Sequence, residues 1–211
     1  MADDYLIVDT LGYLVFLLCF SVAIYFRERA RKLKKPTGKL IRSIYRKAWV
    51  EDSLRRDQPT QFIDTIRNNI MISTTLISAI IISFGFVLNA GIIRADGSLI
   101  YLIRIMSIIT LIAYAFFMML LEVRTLTYIP IVYQTPEALI KKYDKMDKPS
   151  YIAKLLHESF DNFSNATRSL FYIAPLIIWF YSTYLFIIAT LVLTYIMYHE
   201  DFGRESGITI F

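Results

Sequence analysis

The chain contains one cysteine and none of the short motifs that usually accompany catalysis. Cys19 lies inside an apolar run, and a single cysteine excludes an internal disulfide. No glycine-rich phosphate loop, no nucleophile elbow and no pair of catalytic carboxylates occurs in the 211 residues. We therefore predict no catalytic residues, no cofactor and no enzymatic activity.

Charge is also scarce along most of the chain. Charged residues make up 19 % of the sequence and are clustered, while hydrophobic residues make up 56 % and the mean hydropathy is +0.48. Long uncharged runs explain these values better than a large soluble core, so we predict a polytopic membrane protein. Because the N-terminus is acidic, we expect no cleavable signal peptide.

The net charge of +5 fits either a nucleic-acid-binding protein or positively charged loops that stay in the cytosol. Most lysines and arginines lie close to predicted membrane ends, which favours cytosolic loops. We therefore expect no nucleic-acid partner.

Four apolar stretches are long enough to cross a bilayer, at about residues 5–26, 70–93, 99–121 and 170–198. The predicted fold is all-α, a single membrane domain of four transmembrane helices with two amphipathic helices on its cytoplasmic side. Asp96-Gly97 predicts a turn between the second and third spans. Pro130 and Pro136 are expected to break helices, and Pro175 to kink the fourth span.

The basic residues predict the orientation of these spans. Segments 27–69 and 122–169 hold thirteen and seven of the 23 lysines and arginines. By the positive-inside rule both segments are cytoplasmic. Four spans then place the N-terminus and the C-terminus outside, in a protein of the plasma membrane.

A basic amphipathic helix is predicted over residues 39–54, with apolar side chains at helical spacing. Its apolar side could lie on an anionic leaflet with Tyr45 and Trp49 at headgroup level, or could pack on the protein's own bundle. Asp147-Lys148-Pro149 predicts the start of a second amphipathic helix.

Two charged residues stand near the outer ends of spans. Asp9 is either a functional intramembrane carboxylate or, as we favour, an interfacial group in contact with water. Arg104 lies about one turn inside the third span and is expected to snorkel outward. His157 and His199 are predicted on opposite sides of the membrane, and the His157–Asp161 pair alone does not make a metal site. We therefore expect no bound metal.

A stripe of small residues runs along the second span. Thr75, Ala79 and Ser83 are spaced four residues apart and would let another helix approach closely.

A polar cluster is predicted at the cytoplasmic mouth of the bundle. Asp64, Arg67 and Asn68 share a helix face, and Arg168 stands at the matching place before the fourth span. The cluster could gate or bind an anion or a carboxylate. Alternatively, and as we favour, Asp64 and Arg67 pair with each other or with headgroups and set the depth of the helix.

The two halves of the chain share one plan, and residues 62–67 and 163–168 both fit F-x-[D/N]-x-x-R. A real repeat would be a parallel two-fold repeat about an axis along the membrane normal. Several motifs together resemble the four-span membrane family catalogued as domain of unknown function 599: Tyr45-x-x-x-Trp49-Val50, Thr65 to Met71, Thr167 to Tyr172 leading to Pro175 and Trp179, and Asp201-Phe202. The resemblance covers nearly the whole chain and implies the fold and topology, but no chemistry.

These observations leave several functional hypotheses open. The first is a non-catalytic scaffold or accessory subunit, associated with itself or with other membrane subunits and with anionic lipid headgroups. The alternative is a channel or a small-solute or anion transporter whose pathway passes the polar cluster. A membrane enzyme that acts on lipid is the third.

Overall fold

The structure is a computed structural model that describes residues 2–32, 38–56, 59–93 and 99–202. Within these ranges the chain forms α-helices and no strand, which confirms the predicted all-α class. The helices are α1 (Ala2–Lys32), α2 (Gly38–Arg55), α3 (Pro59–Ile93), α4 (Leu99–Gln134), α5 (Glu137–Asp144), α6 (Lys148–Ile178) and α7 (Thr183–Phe202).

Four of these helices are long and apolar enough to cross a membrane. The candidate spans are Ile7–Tyr25, Pro59–Asn89, Leu99–Gln134 and Thr183–Glu200. They confirm the prediction of a multi-pass membrane protein with four transmembrane helices. The turn predicted at Asp96-Gly97 lies outside the described residues.

The fourth span differs from its prediction, because α6 ends at Ile178 and α7 begins at Thr183. Tyr172 in α6 lies 3.0 Å, hydroxyl to hydroxyl, from Thr194 in α7. In one straight helix, residues 22 positions apart would be about 33 Å apart. The chain therefore reverses direction between the two helices, and the prediction of one continuous span over residues 170–198 is wrong.

Ser182 starts the second arm of this helical hairpin. Its carbonyl accepts the first hydrogen bond of α7 from the Phe186 amide, at 3.0 Å. Its hydroxyl lies 3.5 Å from the amide of Leu185, where an N-cap side chain belongs. A serine inside an apolar run is therefore the local signal for this helix start.

The hairpin packs against α1, and its contacts give the relative directions of these helices. Asp9 contacts the start of α7 at Thr183, and Phe16, farther along α1, packs against Phe186. Farther still, Phe20 packs on Tyr172, whose hydroxyl meets Thr194. Positions along α7 thus increase together with positions along α1, so that α1 and α7 are parallel.

Gly12 permits the close approach of these two helices. A Cβ atom at this position would lie 3.0 Å from the Thr183 methyl group. A larger side chain at this position would therefore require the Thr183 methyl group to shift by a few tenths of an ångström.

Pro130 does not break α4, which continues to Gln134. Proline removes one hydrogen bond of the helix. The neighbouring Leu126, Ile129 and Val132 are all buried in one hydrophobic cluster, and their burial favours continuing the helix. Pro136, in contrast, stands immediately before α5, as expected of a helix boundary.

The chain divides into two compact units, and each has its own core. Unit 1 comprises Met1–Arg42, Gly91–Ile108 and Phe171–Phe211, and unit 2 comprises Ser43–Ala90 and Ile109–Leu170. The core of unit 1 is aromatic, with Trp179 stacked on both Tyr13 and Phe186 at centroid distances of 5.5 and 4.8 Å.

The core of unit 2 joins five helices. Val50 of α2, Phe62 of α3, Ile129 of α4, Ile140 of α5 and Ile152 of α6 all belong to one buried cluster. The predicted second amphipathic helix is therefore the first part of α6.

Asp147 caps the N-terminus of α6, and its carboxylate accepts a hydrogen bond from the Ser150 amide at 3.2 Å. Hydrogen bonding by Ser150 holds the pKa of Asp147 below its ordinary value. The predicted helix start at Asp147-Lys148-Pro149 is confirmed.

Candidate functional site

Unit 1 contains a polar cluster that consists of Asp9, Arg104, Trp179 and Thr183. The carboxylate of Asp9 accepts hydrogen bonds from three different side chains. Arg104 donates to Oδ2 at 3.1 Å, the Trp179 indole donates to Oδ1 at 2.9 Å, and the Thr183 hydroxyl also donates to Oδ1. The cluster therefore joins α1 and α4 to both ends of the turn in the helical hairpin.

Arg104 and Asp9 form a largely buried ion pair, with side chains 16 % and 13 % exposed. The guanidinium also lies over the rings of Trp179 and Phe180, at 4.7 and 5.7 Å from their centroids. The sequence analysis did not predict this pairing, and the expectations that Asp9 contacts interfacial water and that Arg104 snorkels outward stay predictions. Each charge is stabilised by a partner that lies 95 residues away in the sequence.

The aromatic residues before and after the hairpin turn take different positions. Tyr172 and Trp179 are fully buried, whereas Tyr181 and Tyr184 are exposed. Trp179 therefore belongs to the interior packing of unit 1. Its indole N–H is satisfied by Asp9, as is usual for a buried tryptophan.

Unit 2 contains a second buried acidic group, Glu122 on α4, which is 2 % exposed. The hydroxyl of buried Ser73 on α3 donates a hydrogen bond to its Oε1 atom at 2.8 Å. The other carboxyl oxygen, Oε2, has no hydrogen-bond partner in the described part of the chain. The burial of Glu122 could not be predicted from the sequence, because it stands at the predicted end of a span, where a solvated group is common.

The members of the predicted polar cluster lie in unit 2, with Asp64, Arg67 and Asn68 on α3 and Arg168 on α6. Arg67 forms an ion pair with Asp64 at 3.1 Å, and its side chain is 74 % exposed. Asn68 is also exposed, and Arg168 is partly buried on α6. The Asp64–Arg67 contact is a pairing between neighbours on one helix, which is compatible with a role in setting helix depth.

Helix α2 contacts the core of unit 2 with one side and exposes the other. Val50 is fully buried, whereas Ile44 and Tyr45 are 56 % and 66 % exposed and Trp49 is 36 % exposed. Trp49 stacks partly on Phe62, at a centroid distance of 4.9 Å. The predicted apolar side of α2 is thus largely outside the protein core.

A histidine links α2 to α6 within unit 2. Arg46 Nη2 lies 3.1 Å from His157 Nδ1, and His157 Nε2 lies 3.4 Å from the Asp161 carboxylate. Because the guanidinium can only donate, His157 Nδ1 is the acceptor. No group of three or more metal-ligating side chains occurs among the residues that the structure describes.

The predicted stripe of Thr75, Ala79 and Ser83 lies on an exposed side of α3. The hydroxyls of Thr75 and Ser83 donate back to carbonyls one turn earlier, at 2.9 and 2.8 Å. The stripe is therefore open to a partner outside the chain.

Comparison with known proteins gives a family and no closer relative. A family model described as protein of unknown function, DUF599, matches residues 11–206. No curated protein and no solved structure matches the chain significantly.

Proposed function

The chain belongs to DUF599, a family of unknown function, and we propose that it is a non-catalytic scaffold or accessory subunit that self-assembles in the plasma membrane. The proposal rests on one observation. The middle of α3, a candidate membrane span, presents small and polar side chains on its exposed surface.

These side chains recur along one side of the helix, with the exposed Ile81 and Ile82 between Ser78 and Gly85. Thr74, Ser78, Gly85 and Asn89 are all exposed and lie within about 60° of one another at 100° per residue. The band of these four residues extends about 22 Å, most of the thickness of a hydrocarbon core of about 30 Å. The stripe of Thr75, Ala79 and Ser83 lies beside it.

Such a band favours contact with another helix over contact with lipid. Small residues let two helix backbones approach closely, and hydroxyl and amide groups can hydrogen-bond across the contact. The Asn89 amide makes no hydrogen bond within the described part of the chain. A partner helix would satisfy this group, whereas lipid tails would not.

A second copy of this chain is the partner we propose. Two identical bands can pack against each other across a two-fold axis, since the same surface then serves both sides. The band also carries no charged residue between Thr74 and Asn89, so that two copies do not repel each other.

The experiment compares the mass of purified protein in lipid nanodiscs or mild detergent for three variants. We expect wild type to be oligomeric and Ser78→Leu and Gly85→Leu to dissociate at least about tenfold more readily, a change of about 1.4 kcal/mol. Ser21→Leu changes an exposed serine on α1 and should behave as wild type.

Two results would reject self-assembly through α3. One is a wild-type protein that is monomeric at every concentration. The other is a stable complex with a different membrane protein and no self-association, which would retain only an accessory role.

Transport of a small solute or an anion past Asp64, Arg67, Asn68 and Arg168 is a second candidate function. It is favoured by Glu122, since buried ionisable groups in membrane helices are costly and typically mark transport pathways. Flux into vesicles that is lost in Arg67→Ala and kept in Arg56→Ala would support it. Arg56 is a matched control because it also forms an exposed pair on one helix, with Asp52.

For the orientation we propose that segments 27–69 and 122–169 are cytoplasmic and that the N-terminus is outside, as the positive-inside rule favours. Because α1 and α7 are parallel, we propose that α7 also runs toward the cytoplasm and that α6, which runs the opposite way, makes the crossing that leads to it. The C-terminus is then cytoplasmic, whereas a single outward fourth span would place it outside.

For lipid contact we propose that the exposed side of α2 lies on the anionic leaflet of the cytoplasmic side. Ile44 and Tyr45 would enter the headgroup region, and exposed Arg42 and Lys47 would face the lipid phosphates.

A further inference from the structure

Glu122 lies on a buried face of α4 whose neighbouring side chains are apolar. On the same face of α4, Met119 lies one turn before it and Leu126 one turn after it, and both are fully buried. A carboxyl group in such surroundings requires a partner for each of its oxygens.

Only half of that requirement is met. The Ser73 hydroxyl bonds Oε1, and Oε2 is left without a partner among the described residues. No described lysine, arginine or histidine lies within ion-pair distance of the carboxyl group. An ionised carboxylate without a cation is the least stable form in an apolar interior.

The site has too few oxygen ligands for a metal ion, but it has room for a proton. A calcium or magnesium ion takes six or more oxygen ligands, and the site offers two carboxyl oxygens and one hydroxyl oxygen. We propose that Glu122 is a proton-binding site in the interior of unit 2, with Ser73 as its hydrogen-bond partner. Protonation forms one O–H bond on the carboxyl group, and deprotonation returns the proton to water.

This assignment is independent of self-assembly through α3, because Ser73 and Glu122 are buried within one copy of the chain. It supplies the transport candidate with a group that could exchange protons. The self-assembly experiment and the experiments below therefore succeed or fail separately.

Infrared spectroscopy of the protein in lipid detects the carbonyl stretch of a protonated carboxylic acid. We expect this band at pH 7 in wild type and its loss in Glu122→Gln. Ser73→Ala should move the band to higher frequency, because the carboxyl group then lacks its hydrogen bond. Glu137→Gln removes a half-exposed glutamate on α5 and should leave the band unchanged.

Labelling of wild type avoids the risk that a variant fails to fold. A hydrophobic carbodiimide reacts with protonated carboxyl groups, and mass spectrometry locates the modified residue. We expect modification of Glu122 that decreases as the pH rises. The proposal is overturned if Glu122 stays unmodified at every pH, or if the infrared band persists in Glu122→Gln.

Discussion

At the scale of single residues, the two buried acidic groups differ in how they are stabilised. Asp9 has a cationic partner and two further donors, whereas Glu122 has one hydroxyl. Asp9 therefore joins α1 to α4 and α7 through its contacts, whereas one oxygen of the Glu122 carboxyl group lacks a partner among the described residues.

The Asp9–Arg104 pair should be important for stability. Arg104→Met leaves the Asp9 carboxylate buried without a cation, so we expect the free energy of unfolding to fall by about 3 kcal/mol. Thermal unfolding in detergent, followed by circular dichroism, measures the change.

The exposed Asp64–Arg67 pair is the matched control for this experiment. Arg67→Met removes an exposed ion pair between neighbours on one helix, and an exposed pair contributes about 0–1 kcal/mol. If Arg67→Met destabilised the protein as much as Arg104→Met, burial of the Asp9 pair would not be the cause.

The cap on α6 predicts a stability that depends on pH. Asp147→Ala removes the cap and should lower the free energy of unfolding by about 1 kcal/mol at pH 7. The pKa of Asp147 is lowered in the folded state from its ordinary value of 3.8. The ionised carboxylate therefore stabilises the fold fully above pH 3.8, and this stabilisation disappears as the pH falls through the folded-state pKa. Thermal melts over a range of pH should therefore show the difference between wild type and Asp147→Ala shrinking in acid.

The replacement Asp147→Asn separates the cap from general effects of the substitution. Asparagine is as good an N-cap as aspartate, so this variant should remain close to wild type. Equal destabilisation by Asn and Ala would show that the hydrogen bond to Ser150 is unimportant.

At the scale of helices, hydropathy located α1, α3, α4 and α7 because each contains a long uncharged run. The reversal between α6 and α7 could not be predicted in this way. The sequence is apolar on both sides of the turn, and Ser182 is the single capping signal. Pro130 was predicted to break α4 but does not, because burial of the surrounding side chains outweighs the lost hydrogen bond.

Contacts between residues far apart in the sequence also could not be predicted from the pattern of apolar and charged residues. Asp9 and Arg104 each look like a charge at a span end, and their contact depends on how α1 and α4 pack. The packing of Trp179 on Tyr13 depends on the hairpin in the same way.

The orientation of α2 predicts different environments for two neighbouring positions. In a Cys19→Ala background, a spin label on Tyr45→Cys should be relaxed more by lipid-soluble oxygen than by a water-soluble nickel complex. The label on Lys47→Cys, which flanks this side of the helix at the level of the lipid phosphates, should show the opposite order. Equal behaviour at both positions would contradict contact between α2 and the lipid surface.

At the scale of the whole molecule, the described chain is a multi-pass membrane protein of the DUF599 family. The proposed functions are argued from its exposed surfaces and its buried ionisable groups. The proposed cytoplasmic positions of α2 and of the cluster of Asp64, Arg67, Asn68 and Arg168 depend on the course of the chain through the bilayer.

Labelling of single cysteines in intact cells tests that course most directly. In a Cys19→Ala background, an impermeant maleimide should label Asp3→Cys and should label Lys145→Cys and Ser206→Cys only after the membrane is permeabilised. Labelling of Ser206→Cys in intact cells would contradict the parallel passage of α1 and α7 through the membrane, and labelling of Lys145→Cys would reverse the orientation of the protein.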